Sequence, residues 1–146
     1  MLDHVELKKI YQYAVKVIQG KIKDDRKILP INPGIYYTSV NIHNPWHKEI
    51  KYFVKVAVSG SNGESGPITA FSDHKLGPDA TTEYDYIGFG TLLNNLPSFL
   101  EGFFVIESSV QLDVIGVYSG TDDKEGNFGS LHLERVPARI INAVRI

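Results

Sequence analysis

Cysteine is absent from this 146-residue sequence, which removes disulfide staples, thiolate nucleophiles and zinc–thiolate sites together. Neither sign of charge dominates: fifteen Lys and Arg face seventeen Asp and Glu, for a net charge of -2. The broad basic footprint of a nucleic-acid coat is therefore missing, and no nucleic-acid partner is expected. No run approaches the ~18–20 apolar residues of a membrane helix, so no membrane insertion is expected. The opening Met1-Leu2-Asp3-His4-Val5-Glu6-Leu7-Lys8-Lys9 mixes acids, bases and single apolar residues, unlike a signal peptide. A cytoplasmic location is the expectation, with specialised export as the alternative. What remains is 42% apolar and 22% charged, an ordinary globular composition at a length that can bury one core.

Alternation with a period close to two dominates the chain. Tyr36, Thr38, Val40 and Ile42 line one strand face, and Tyr37, Ser39, Asn41 and His43 the other. Asn44-Pro45 stops that strand, because proline gives the ladder no N–H. Ile50, Tyr52, Val54, Val56 and Val58 alternate with Lys51, Phe53, Lys55 and Ala57, so the lysines mark a wetter face. Ser59 to Gly66 reads as a loop, Pro67 to Phe71 as a short strand, and Leu76-Gly77-Pro78-Asp79 as a turn. Ala80 to Ile87 alternates again. Leu92, Leu93, Leu96 and Leu100 suggest a helical turn or two ending near Pro97. Gly102 to Ser108, Val110 to Tyr118 and Phe128 to Val136 read as strands, the last two joined by the polar loop Asp122 to Asn127.

The N-terminal region carries two patterns. Asp3-x-x-Glu6 with Leu7, Ile10, Tyr11, Ala14, Val17 and Ile18 fits a capped helix, whereas Tyr11, Tyr13, Val15 and Val17 fit a strand. The expected division is an arm or short helix over 1–10, a β-domain over 11–137 and a tail over 138–146. About eight short strands with almost no helix predict an all-β antiparallel sandwich or jelly roll, with a closed barrel as rival.

The densest polar and aromatic cluster is Asn41-Ile42-His43-Asn44-Pro45-Trp46-His47. His43 and His47 have a spacing that joins imidazoles on a helix, but Asn44-Pro45 forbids one there, and no metal is expected. The plainer account is a turn in which Asn44 bonds downstream backbone, Pro45 fixes φ and His43 satisfies carbonyls at the strand end. Asn41, His43, Asn44, Trp46 and His47 are the candidate binding residues, with Trp46 able to anchor a partner or stack on a sugar. Asp113 stands in the apolar run Leu112 to Tyr118 and is expected to be a buried structural carboxylate paired by Arg135, Arg139 or a turn. No spacing selects a catalytic carboxylate pair, and no P-loop, Gly-x-Ser-x-Gly elbow or dinucleotide fingerprint occurs. Neither catalytic residues nor a cofactor are expected.

The segments Pro33 to Pro45, Leu76 to Asp79, Gly102 to Ser108 and Leu112-Asp113-Val114 resemble a group of small uncharacterised prokaryotic proteins. Those proteins share a Gly-x-Tyr-x-Thr-x-x-Asn-Ile-His-Asn-Pro signature, and the resemblance spans roughly residues 13 to 137. The order of elements is also similar to the sensory rhodopsin transducer family, which implies an oligomeric β-sandwich. Neither resemblance implies catalytic residues.

Two roles follow as expectations. The first is a non-enzymatic module that associates with copies of itself, as a ring or a filament, and acts as a scaffold. Leu7 and Ile10 in the arm and Ile140, Ile141 and Val144 in the tail would supply its assembly contacts. The second is a module, possible in signalling, that binds a small molecule or carbohydrate through the Asn41–Trp46 loop.

Overall fold

A computed structural model describes residues 7–23, 31–122 and 129–144. Strand alternation wins over the helical stripe at the N-terminus, because β1 runs unbroken from Leu7 to Ile22. Tyr13, Val15, Val17 and Gln19 point inward at every second position and are buried. Of the arm or short helix expected over 1–10, residues 7–10 are strand rather than helix, while residues 1–6 lie outside the described residues. Most of the loop Asp122 to Asn127 lies outside them too.

Eight further strands follow: β2 (Gly34–His43), β3 (Ile50–Val58), β4 (Ser72–Leu76), β5 (Thr81–Tyr84), β6 (Phe99–Ser108), β7 (Asp113–Thr121), β8 (Ser130–Arg135) and β9 (Arg139–Val144). All pairings are antiparallel. They join nine strands into one hydrogen-bonded sheet ordered β4-β3-β6-β1-β2-β7-β8, with β5 on β2 and β9 on β1. The all-β expectation holds at this level.

Local differences have physical causes. The short strand expected at 67–71 falls instead at β4, leaving only an isolated bridge between Ala57 and Ile68. The Val58 N–H still donates to the Pro67 carbonyl at 2.9 Å, but between the Ala57–Ile68 bridge and the Val54–Ser72 pair one strand carries an extra residue, which interrupts regular pairing. The helical turn is real but lies earlier, as α1 (Tyr86–Leu93). Asp85 caps it by accepting from the Ile87 N–H at 3.0 Å, and Asn94 ends it in the left-handed region. Gly20 has φ +115°, and a Cβ there would meet the Ser98 carbonyl oxygen at 2.1 Å. That glycine stands where β1 adds β2 to its pairing with β6.

Side chains from β1, β2, β3, β6, β7 and α1 form a single apolar core. Val15, Val40, Ile42, Val54, Val56, Phe89, Phe104 and Ile106 are fully buried within it. Phe89 of α1 meets the Phe104 ring at a centroid distance of 5.5 Å. Among the described residues, no helix is long and apolar enough to cross a membrane.

Candidate binding site

The end of β2 and the start of β7 are fixed by one ladder, in which His43 stands opposite Asp113. Alternation sends Ile42 and Val114 into the core and leaves His43 and Asp113 on the other face. His43 Nδ1 lies 2.8 Å from Asp113 Oδ2, and His43 Nε2 lies 2.8 Å from Asp79 Oδ1. Carboxylates only accept, so both ring nitrogens donate and the imidazolium is favoured. The hydrogen bond to Asp113, then that to Asp79, raises the His43 pKa above its ordinary 6.5. With both nitrogens occupied, His43 offers neither a free lone pair for a metal nor a ready general base. It braces the 76–80 turn against β7.

Two expectations change here. His43 bonds carboxylates rather than strand-end carbonyls. Asp113 is not buried, since its side chain keeps 43% exposure. It opens β7 on the outward-facing parity, and the apolar run around it includes the exposed Ile115. Its first partner is His43, with Arg135 Nη2 at 3.9 Å. Arg139, the other candidate, donates instead to Gln12 Oε1 at 2.6 Å.

Asn44 is wholly buried and organises the turn. Its Nδ2 lies within 2.8 Å of the Lys48 and Gly77 carbonyls and 3.1 Å of that of Leu76, while its Oδ1 accepts from the Trp46 N–H at 2.9 Å. Trp46 is 41% exposed and donates Nε1–H to the Gln111 carbonyl at 2.6 Å. It borders a hollow of about 280 Å³ shared with Tyr13, Gln111, Asp113, Arg135 and Pro137. The Tyr13 hydroxyl beneath accepts from the Leu112 N–H at 2.7 Å and donates to its carbonyl at 3.0 Å. Burial pushes that phenol's pKa up.

Of the sequence candidates, His43, Asn44 and Trp46 thus converge on one corner. Asn41 lies back along β2, with its Nδ2 3.3 Å from Ser39 Oγ, and His47 is exposed in the following loop. The sequence reading assigned no role to Asp79 and gave Arg135 only as a partner for Asp113. Asp79 has φ +55°, a left-handed residue in a segment whose Gly-Pro-Asp composition signals only a turn. Among the described residues, no group of three or more His, Cys, Asp and Glu is placed to hold a metal ion.

The proposed assembly residues occupy paired strands. β9 lies antiparallel on the first half of β1, with Leu7 opposite Val144, Ile10 opposite Ile141 and Tyr11 opposite Ile140. The arm and the tail therefore pair with each other.

No protein-family model and no curated protein matches the chain. Among solved structures it is similar to that titled "Crystal Structure of Thermotoga maritima 1070". The likeness covers 88% of this chain and 92% of the other, with 11% identity and a TM-score of 0.56. It concerns fold alone.

Proposed function

We propose that this chain is a non-enzymatic β module that associates with copies of itself and serves as a structural or interaction scaffold. In this reading the nine strands fold into two facing layers, a sandwich around the shared core. One observation carries the proposal: the outward face of β2, β7 and β8 presents apolar side chains to solvent. Tyr37 (47% exposed), Ile115 (37%), Leu131 (59%) and Leu133 (58%) lie on it. The register sets Leu131 beside Ser119 and Tyr37, and Leu133 beside Val117 and Ser39. Adjacent exposed apolar groups of this kind mark interaction surfaces, because covering them releases ordered water. Size-exclusion chromatography with light scattering at micromolar concentration tests it. The wild type is expected as an oligomer and the Leu131→Lys/Leu133→Lys double variant as a monomer with an unchanged circular dichroism spectrum. A monomeric wild type would sink the proposal.

A second reading, binding of a small molecule or sugar, is favoured by the hollow beneath Trp46. There an indole, the Asp113 carboxylate and the Arg135 guanidinium share one rim, the combination of apolar platform and polar groups that sugar sites use. A thermal-shift screen of mono- and disaccharides is expected to find a stabilising ligand whose effect disappears in Trp46→Ala. An equal shift in wild type and variant removes this reading.

A further inference from the structure

We propose that the open edge of β8 pairs antiparallel with β8 of a second copy about a two-fold axis at Leu133. This inference rests on the self-association reading and names its contact. Among the described residues β8 pairs only with β7, on one side. No lysine or proline interrupts its Ser130-Leu131-His132-Leu133-Glu134-Arg135, so two of the devices that protect an edge strand are missing, and its charges, Glu134 and Arg135, are of opposite sign and can pair across a two-fold contact.

The backbone direction of this edge follows from one hydrogen bond. The Val136 N–H donates to the Val114 carbonyl at 2.9 Å, so residue 136 turns its backbone groups toward β7. Backbone groups in an antiparallel ladder alternate in direction, so residues 134, 132 and 130 do the same. The N–H and C=O of Leu131, Leu133 and Arg135 therefore face the open side. Leu131 and Leu133 are also the exposed apolar side chains of this strand. One stretch of chain thus offers, together with apolar surface, backbone groups that no described residue pairs.

A two-fold axis normal to the sheet keeps the two outer faces continuous, which requires that it pass through a residue position. Centred on Glu134, it would oppose two carboxylates, and centred on His132, two imidazoles. Centred on Leu133, it sets Leu133 against its own copy, Leu131 against Arg135, and His132 against Glu134 twice. That last register is charge-complementary and engages about six backbone hydrogen bonds. It also joins the apolar outer faces of both copies into one surface. A contact of this isologous kind closes as a dimer, so a larger ring or filament requires a second interface.

The cysteine-free sequence makes cross-linking a clean test. In the proposed pair the two Leu133 Cα atoms stand about 5.5 Å apart, within the range a disulfide spans. Leu131 and its copy are separated by four residues along the strand, roughly 13 Å. Mild oxidation of full-length Leu133→Cys is expected to give a covalent dimer on a non-reducing gel, while Leu131→Cys and His132→Cys stay monomeric. Both leucines are exposed, and unchanged melting temperatures check that each variant folds. Wild-type oligomers by light scattering without a Leu133→Cys cross-link would overturn this contact but leave self-association standing. Faster cross-linking of His132→Cys would overturn the register, and a monomeric wild type would overturn both proposals.

Discussion

His43 is held by two acids whose sequence positions lie 36 and 70 residues away, and this determines how its contribution varies with pH. Its folded pKa lies above the ordinary 6.5 because Asp113, and then Asp79, stabilise the imidazolium. A group whose pKa rises on folding stabilises the fold fully below its unfolded pKa, and that contribution is lost as pH climbs through the folded value. The melting temperature of wild type should therefore exceed that of His43→Gln most below the ordinary histidine pKa of about 6.5, with the gap closing as pH climbs through the raised folded value. The exposure of His43, 37% for its side chain, keeps this gap small. Melting curves of both proteins across that range provide the check, and a gap that stays constant with pH would refute the brace. The sequence offered His43 as a polar residue at a strand end but not its partners. Pairing across strands depends on register, which no single stretch of sequence carries.

At the scale of elements, β1 carries two sequence patterns at once and holds three other strands, β2, β6 and β9. Its residues satisfy a helical stripe and a strand alternation at once, and only burial of Tyr13, Val15 and Val17 on one face separates them. It pairs with β9 at one end, β6 through most of its length and β2 only over its last three residues. Where β1 and β2 part, side chains replace the ladder. Thr38 Oγ1 accepts from the Ile18 N–H at 2.9 Å and donates to the Ile18 carbonyl at 2.7 Å, and Gln19 Oε1 accepts from the Thr38 N–H at 3.1 Å. Thr38→Val keeps the shape but leaves both Ile18 groups unpaired, so chemical denaturation should show a loss of roughly 2–4 kcal/mol. A loss below about 0.5 kcal/mol would show that water satisfies those groups instead. The long alternating strands β2 and β3 were legible because each carries one wet face and one dry face. Helix α1 lies earlier than the leucine pattern suggests because its own buried anchor is Phe89, flanked by two poor helix formers, Gly88 and Gly90, whereas the leucines that suggest a helix come after it.

At the scale of the whole molecule, the two ends of the described chain meet on β1, and this constrains how copies can associate. A strand donated to a neighbour must first be free, yet 139–144 already pairs with 7–12. β6 supports β1 only from Tyr11 onward, so the two halves of β1 have different supports. Deleting residues 139–146 removes the partner of the first half alone. Hydrogen exchange should then rise about tenfold or more at the amides of residues 7–10, while those of 13–19, held against β6, keep their protection. Uniform loss of protection along β1 would mean that β9 belongs to the same cooperative unit as the core. The same deletion separates the two routes to assembly. Exchange of arms would abolish the oligomer along with the tail, whereas contact through β8 and the outer face of β7 uses no residue beyond Arg135 and leaves the mass per particle, in subunits, unchanged by light scattering.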